Sequence, residues 1–309
     1  MGLIAHHVDG VGRARGADVG LDAPEWFERA LSVPATEHMT EVDGCDIHWM
    51  AWGDEGLPGL VFVHGGAAHL HWWSGLVGLF ADDHRVVALD LSGHGDSGRR
   101  EEYNLAEWTR EVAAIGVASG CAGPPVVVGH SMGGFVTIAV AALQPAALSG
   151  ALILDSPVSR PDPEVEAARS GTIFANTRIY EDLDDAVARY RTVPEQDRYL
   201  PIMKDHVARH SLRQVEGGWA WKFDPHIFVP RRGEARELLS QVSCRVGLFR
   251  AEHGLVTPDI GAYMYELLGR VAPVVEIPQA GHHLMLDEPL SLLVAIRTIL
   301  ADWEHSVQN

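Results

Sequence analysis

A serine framed by glycines is the first pattern in the sequence that could perform chemistry. Residues 126–135 read VVVGHSMGGF, and the run Gly129-His130-Ser131-Met132-Gly133 fits the pattern G-x-S-x-G. A serine hydroxyl becomes a strong nucleophile when a neighbouring base takes its proton. Glycines two positions before and after the serine permit a tight turn, because a Cβ there would meet adjoining backbone. Ser131 is therefore a candidate nucleophile.

The residues on either side of Ser131 indicate the elements that would hold it. Val126–Val128 is an apolar run typical of a buried strand. Residues 131–143, SMGGFVTIAVAAL, form a predicted helix that ends before Pro145. On such a strand-to-helix turn the serine adopts a strained backbone, and its hydroxyl projects from the sheet. The positive end of the helix dipole then lies beneath the nucleophile.

Short apolar runs recur along the rest of the chain. They are LVFV (60–63), VVALDL (86–91), PVVVG (125–129), ALILD (151–155), VGLF (246–249) and VVEI (274–277). Most are unbroken runs of Val, Leu and Ile, which is typical of strands covered on both faces. Helix-length segments such as residues 104–120 lie between several of them, and Asp43-Gly44 indicates a hairpin within residues 38–52. The predicted fold class is α/β, with a mostly parallel central sheet and helices on both faces.

The strand pattern is interrupted between residues 157 and 239. This stretch is rich in Arg, Asp and Trp and shows no β-type run, so we expect a helical cap inserted over the sheet. A separate helical domain with its own core is the alternative. Since the strand pattern resumes afterwards, residues 36–156 and 240–309 are expected to form the core. Residues 1–35 are expected to be an N-terminal extension on the surface.

Four further segments resemble the α/β-hydrolase family, in the family's order. FVHGGAA (62–68) is similar to the His-Gly loop after the third strand, and DLSGHGDS (90–97) is similar to the loop after the fourth. ALILDSP (151–157) resembles the sixth strand, and PQAGHHLMLDEP (278–289) resembles the loop that carries the catalytic histidine. The resemblance covers residues 36–303 and implies an α/β-hydrolase fold with an inserted cap.

The resemblance implies a base and an acid for the nucleophile. The family's histidine follows a glycine and stands seven residues before a proline, which favours His282 over His283. The commonest acid is an aspartate after the seventh strand, but Gly254 occupies that position here. Compact bacterial serine esterases instead carry the acid after the sixth strand, which implies Asp155. A buried aspartate at a strand end needs a partner, and an imidazolium is a suitable one. Glu252 is the alternative acid.

The resemblance also implies where a developing negative charge would be held. Backbone N–H groups of Gly66, in the His-Gly loop, and of Met132, after the nucleophile, would form an oxyanion hole. His130 and four tryptophans are candidates for the wall of an apolar substrate pocket, although core packing explains the tryptophans equally well. These tryptophans are Trp72, Trp73, Trp219 and Trp221.

Composition and charge argue against several other classes of protein. The chain has 24 Lys and Arg against 42 Asp and Glu, and a formal net charge of −18 repels nucleic-acid phosphates. Three dispersed cysteines without a C-x-x-C pair indicate free thiols, and no apolar run reaches the length of a membrane span. We therefore expect a cytoplasmic protein. HLHWW (69–73) has no third ligand at metalloprotease spacing, so we expect neither a metal nor a cofactor.

These features together predict a serine-dependent hydrolase that cleaves a small apolar carboxylic ester or lactone through an acyl-enzyme. Two alternatives remain open. A cofactor-free haloperoxidase or perhydrolase would share the site and let peroxide attack the acyl-enzyme. A binding protein of the same fold would use the pocket with little turnover. The sequence does not fix the acyl chain length, and it leaves open whether the protein forms a homodimer.

Overall fold

The computed structural model describes residues 5–7, 23–160, 178–227 and 232–306 of the chain. The strands of these residues are β1 Ala5–His7, β2 Ala35–Val42, β3 Cys45–Trp52, β4 Gly59–Val63, β5 Arg85–Leu89, β6 Val126–His130, β7 Gly150–Leu154, β8 Leu212–Val215, β9 Gly218–Trp221, β10 Arg245–His253 and β11 Val274–Gly281. Nine of them form one sheet in the order β1-β2-β3-β5-β4-β6-β7-β10-β11, and β8 and β9 form a separate hairpin.

The large sheet changes from antiparallel to parallel pairing at β5. Strands β1, β2, β3 and β5 pair in antiparallel fashion, whereas β5, β4, β6, β7, β10 and β11 are parallel. Each of the six apolar runs in the sequence overlaps one of these parallel strands, so the predicted sheet is confirmed. The expected hairpin joins β2 to β3, with positive φ angles of 49° at Asp43 and 75° at Gly44.

Helices cover both faces of the sheet. The described residues form α1 Glu25–Ser32, α2 His71–Val77, α3 Leu105–Ala118, α4 Met132–Leu143, α5 Leu183–Ala188, α6 Pro201–His210, α7 Arg232–Leu239, α8 Pro258–Leu267, α9 Leu284–Asp287 and α10 Pro289–His305. One apolar cluster joins the sheet to α3, α4 and α8, and a second joins it to α1, α2 and α10. Within the described ranges, no helix is long and apolar enough to cross a membrane.

The segment between β7 and β10, here called the insertion, is not wholly helical. It carries α5, α6 and α7, but also the β8–β9 hairpin, so the expectation that it lacks strands is wrong for residues 212–221. Each strand has only four residues, too few to show a period-two pattern, and Gly217 closes the turn with a φ of 86°. Residues 161–177 and 228–231 of the predicted cap lie outside the described residues. The predicted cap boundaries stay predictions.

Part of the predicted N-terminal extension is packed against the core. Helix α1 buries Phe27 and Ala30, and Phe27 packs in the apolar cluster around α2. Strand β1 pairs with β2 at the edge of the sheet. Residues 25–32 therefore do not form the expected surface extension, whereas residues 1–4 and 8–22 lie outside the described residues.

The carboxylate of Asp90 joins three segments at the carboxyl edge of the sheet. It accepts hydrogen bonds from the backbone N–H groups of Leu70 (2.6 Å) and Asp96 (2.9 Å) and from His48 Nδ1 (2.8 Å). His48 Nε2 in turn donates to Glu37 at 2.8 Å. Burial alone would lower the pKa of His48, but hydrogen bonds to the two carboxylates outweigh burial and raise the pKa to about 10. A buried charged pair therefore fixes the loop before α2.

This pair predicts how stability depends on pH. The pKa of His48 rises from 6.5 to about 10 on folding, so its contribution is complete below pH 6.5 and is lost as the pH passes about 10. In His48→Gln we expect a lower free energy of unfolding at neutral pH. We also expect the free energy of unfolding of this variant to decline less steeply toward pH 10 than that of wild type. The loss of one titrating group changes the slope by at most about 1.4 kcal/mol per pH unit. Urea unfolding across this range measures both, with the exposed His253→Gln as control. Equal slopes for wild type and His48→Gln would contradict the prediction.

Candidate active site

Ser131 occupies the turn between β6 and α4. Its φ of 55° and ψ of −117° lie in a region that few non-glycine residues adopt. The contact distances explain both glycines of the motif. A Cβ at Gly129 would lie 2.2 Å from the carbonyl oxygen of Gly133, and a Cβ at Gly133 would lie 2.4 Å from that of His64. The turn thus holds the serine side chain at the carboxyl edge of the sheet.

His282 lies in the loop between β11 and α9 and reaches Ser131. Its Nε2 is 3.0 Å from Ser131 Oγ, and its Nδ1 is 2.7 Å from Asp155 Oδ2. Since the carboxylate is an acceptor, Nδ1 carries the proton and the Nε2 lone pair faces the serine hydroxyl. Both His282 and Asp155 are buried. This arrangement can take the hydroxyl proton and stabilise the resulting imidazolium.

Asp155 follows β7 and extends its carboxylate into the loop after β10. Backbone N–H groups of Leu255 (2.7 Å), Val256 (3.1 Å) and Ala251 (3.2 Å) donate to it. A Cβ at Gly254 would lie 2.3 Å from Asp155 Oδ2. The Asp155 carboxylate therefore fills the space beside the position where the family most often has its acid, and a larger residue than glycine would displace it.

Glu252, the alternative acid, lies apart from these contacts. Its exposed carboxylate accepts a hydrogen bond from the backbone N–H of Gln279 at 2.7 Å. The structure therefore brings Asp155, and not Glu252, to His282.

The loop after β4 passes directly beside Ser131. A Cβ at Gly65 would lie 3.3 Å from Ser131 Cβ, and Gly66 follows it. His64 holds this loop, since its Nδ1 donates to the Gly65 carbonyl (2.7 Å) and its Nε2 accepts from the Leu91 N–H (3.0 Å). Met132 is the first residue of α4, where backbone N–H groups have no acceptor within the helix. Gly66 and Met132 directly follow Gly65 and Ser131 along the chain, and their role as an oxyanion hole stays a prediction.

The histidines next to the motif residues brace the loop of His282. His130 Nε2 donates to the backbone carbonyl of His282 at 2.8 Å, and His283 Nε2 donates to that of Pro194 at 2.9 Å. Burial lowers the pKa of His130 well below its usual value and that of His283 to about 3. Both imidazoles are therefore neutral at pH 7. His130 was predicted to line a substrate pocket, but its contact is with the loop of His282, and it is not among the described residues that line the cavity between the loop after β4 and the insertion.

A cavity of about 290 Å³ lies between the loop after β4 and the insertion. Trp72 and Trp221 belong to its wall, together with Gly66, Ala67, His69, Tyr190, Val193 and Phe223, among others. Two predicted wall residues lie elsewhere. Trp73 is fully buried in the core, with its ring centroid 5.2 Å from that of Phe62, because it points from a different side of α2 than Trp72. Trp219 is in the β8–β9 hairpin and pairs through its backbone with Tyr180.

Three buried polar atoms of wall residues have no partner among the described residues. They are Nδ1 of His69, Nε1 of Trp72 and the hydroxyl oxygen of Tyr190. Because the Ser211 hydroxyl donates to the Val207 carbonyl (2.8 Å), His69 Nε2 must donate to Ser211 Oγ (2.7 Å). His69 Nδ1 is then an acceptor, whereas Trp72 Nε1 is a donor. His69 and Tyr190 were not among the predicted wall residues, although His69 directly follows the His-Gly loop in the sequence.

The sheet order and the serine, histidine and aspartate contacts define a protein of the α/β-hydrolase class. Residues 60–296, more than half of the chain, match the model of the alpha/beta hydrolase family. The chain belongs to this family, and the resemblance noted from its motifs is confirmed.

Curated relatives and solved structures agree with this assignment. The esterase Rv0045c of Mycobacterium tuberculosis is 27% identical over 267 residues, which cover 81% of this chain and 85% of that protein. The lipase LipV of the same organism is 25% identical over 260 residues, covering 82% and 98%. The structure of E-2-(acetamidomethylene)succinate hydrolase superposes with a TM-score of 0.75 at 21% identity, over 87% of this chain and all of that one. The structural likeness supports the fold alone.

The contacts that hold the Asp155 carboxylate lead to a prediction about activity. Asp155→Asn should lower kcat by about 10³- to 10⁴-fold, because the amide favours the wrong histidine tautomer. Gly254→Ala should lower kcat by roughly 10²-fold, because its Cβ displaces the carboxylate. Glu252→Gln and Gly123→Ala, whose added Cβ meets nothing within 4 Å, are matched controls expected to stay within about twofold. Steady-state kinetics of ester hydrolysis give kcat for all four variants. A larger loss of kcat in Glu252→Gln than in Asp155→Asn would overturn the assignment of Asp155 as the acid.

Proposed function

We propose that the protein hydrolyses carboxylic esters with Ser131 as nucleophile, His282 as general base and Asp155 as the acid that orients it. The observation that carries the proposal is the continuous chain of contacts from Ser131 Oγ to His282 (3.0 Å) and from His282 to the Asp155 carboxylate (2.7 Å). Relatives named esterase and lipase, each matched over about four fifths of this chain, support the same chemistry.

In the proposed reaction, His282 Nε2 takes the hydroxyl proton as Ser131 Oγ attacks the carbonyl carbon of the ester. The Asp155 carboxylate stabilises the imidazolium through Nδ1 and does not itself become protonated. The N–H groups of Gly66 and Met132 bind the oxygen that becomes negatively charged. The imidazolium then protonates the leaving alcohol, and the acyl-enzyme remains. Water, deprotonated by the same histidine, releases the acid and restores the serine.

A lactone would react by the same steps, except that the leaving alcohol stays attached to the acyl group. Peroxide in place of water would give perhydrolysis, and a bound ligand without attack would give a binding protein. The hydrogen-bonding distance between Ser131 and His282 favours turnover, since a binding protein has no need of an activated serine. We further propose that the insertion acts as a cap that sets substrate size.

The cavity suggests a small acyl group that carries one polar substituent. Its volume of about 290 Å³ is at the lower end of small-molecule sites. Its wall is largely apolar, but Trp72 Nε1 offers a donor and His69 Nδ1 an acceptor without partners. A hydroxyl group on the substrate can accept from the indole and donate to the imidazole. Because buried polar groups discriminate against ligands that leave them unpaired, we expect hydroxyacyl esters to be preferred.

A panel of chromogenic esters of increasing acyl length, together with simple lactones, tests the proposed function. We expect hydrolysis of short acyl esters, and a loss of roughly 10³-fold or more in Ser131→Ala. A fluorophosphonate should label the serine in wild type and not in that variant. Labelling without turnover of any ester or lactone would contradict ester hydrolysis, and equal turnover in Ser131→Ala would exclude this serine as the nucleophile. Adding peroxide to the assay distinguishes perhydrolysis, in which peroxide attacks the acyl-enzyme, from hydrolysis by water.

The indole N–H of Trp72 leads to a prediction about substrate preference. Trp72→Phe keeps most of the ring but removes the N–H, which is worth about 0.5–1.5 kcal/mol in a hydrogen bond. We therefore expect kcat/KM for a β-hydroxybutanoyl ester to fall roughly 3- to 10-fold relative to that for the butanoyl ester. Trp73→Phe loses the same atom in the core, outside the cavity wall, and should leave the ratio unchanged. An unchanged ratio in Trp72→Phe would refute the polar subsite.

A further inference from the structure

Three histidines meet where the core helix α2 contacts the insertion helix α6. His71 is the first residue of α2, and His206 and His210 are one turn apart on α6. Each offers one ring nitrogen, and the three nitrogens lie within 4.8 Å of one another. The His210 ring centroid is 4.1 Å from that of His71 and 4.4 Å from that of His206. Because residues four apart share a helix face, α6 presents two imidazoles to the third.

The surrounding hydrogen bonds determine which atoms can bind a ligand. His210 Nδ1 donates to the backbone carbonyl of His206 at 2.8 Å, so its Nε2 carries the lone pair. The Ser74 hydroxyl contacts His206 Nε2 (2.8 Å) and His71 Nδ1 (3.2 Å). The contact of His210 Nδ1 with the His206 carbonyl is of the kind that orients metal-binding histidines in proteins. The charge of Lys222 acts on His210, but Lys222 is paired with Asp96 at 2.5 Å.

From this geometry we propose that His71, His206 and His210 form a binding site for a divalent transition-metal ion such as Zn²⁺. With Zn–N bonds of about 2.0–2.1 Å, the nitrogens of a tetrahedral site stand about 3.3 Å apart. Nitrogens already within 4.8 Å of one another reach that spacing by side-chain rotation. Imidazole ligands suit Zn²⁺, Ni²⁺ and Cu²⁺ and disfavour Mg²⁺ and Ca²⁺. Three protein ligands leave a fourth position for water.

The bound ion would clamp the insertion onto the core. Helix α2 continues from the loop that forms the cavity wall, and the residue after α6, Ser211, already contacts His69 at 2.7 Å. A metal between α2 and α6 would therefore tie down both sides of the cavity entrance. The site is independent of the proposed ester hydrolysis, because none of its three ligands contacts Ser131, His282 or Asp155 in the described structure.

A second histidine cluster near the serine is the competing location. His130, His282 and His283 also offer nitrogens within 4.8 Å of one another. However, both nitrogens of His282 already contact Ser131 and Asp155, and His130 Nε2 and His283 Nε2 donate to backbone carbonyls. Nδ1 of His130 and Nδ1 of His283 have no partner among the described residues, but a metal bound to His282 would have to displace Ser131 or Asp155. At the α2–α6 site only the Ser74 hydroxyl has to move, which favours that location.

Titration of the full-length protein with Co²⁺, followed by visible d–d absorption, tests the proposal. We expect one equivalent to bind with the intense bands of a four-coordinate site. Saturating Zn²⁺ should raise Tm by roughly 5 °C, because a ligand of the native state alone stabilises it. His210→Gln should weaken Co²⁺ binding more than the 10- to 100-fold typical of losing an outer contact, and should abolish the shift in Tm.

Matched His→Gln variants separate the two clusters. His283→Gln, in the competing cluster, and the exposed His253→Gln should bind Co²⁺ like wild type. The metal-free Tm of each variant verifies that it is folded, and His71→Gln is an independent second variant should His210→Gln fail to fold. The proposal is overturned when wild type shows no Co²⁺ bands, or when His283→Gln loses binding and His210→Gln keeps it.

Discussion

The buried carboxylate of Asp155 is the group on which the geometry of the site depends. A buried charge is tolerated only when hydrogen bonds replace its water. Three backbone N–H groups from residues 251, 255 and 256 supply them, and His282 supplies the fourth contact. One side chain from the end of β7 thereby fixes the loop after β10 and the histidine after β11. Neighbouring parallel strands end at the same edge of the sheet, so these three loops can meet there.

The insertion is coupled to this edge through the loop of His282. Gln196 accepts from the backbone N–H of His283 (2.9 Å) and donates to Asp287 (3.2 Å), and Asp287 accepts from the backbone N–H of Gly281 (2.5 Å). Burial raises the pKa of Asp287 to about 6. The segment of the insertion that lines the cavity with Thr192 and Val193 therefore also contacts the loop of the proposed general base, through Gln196. A change in the position of the insertion would therefore displace the loop of His282 as well as the cavity wall.

Features that depend on local sequence pattern could be predicted from the sequence. Features that depend on how the elements pack against one another could not. Buried parallel strands need unbroken apolar runs, and the serine turn needs glycines at two fixed positions, so both could be recognised. Trp72 and Trp73 show the limit, because adjacent helix residues point about 100° apart and only the packing of α2 makes one a cavity wall and the other core. The β8–β9 hairpin was missed because its strands are too short to show a period. The three-histidine cluster joins residues more than a hundred positions apart, which no spacing motif can show.

Backbone strain is concentrated where the proposed chemistry would occur. Ala67, Ser131 and Asp155 have φ angles of 55°, 55° and 46°, each in a region that costs a non-glycine residue roughly 1–3 kcal/mol. All three follow strands of the parallel sheet and sit beside the same site. Ser131 N–H donates to the Leu154 carbonyl and Asp155 N–H to the Phe249 carbonyl, so pairing at the strand ends continues through the strained residues. The sheet thus offsets the strain that directs the serine hydroxyl and the carboxylate toward the two sides of one imidazole.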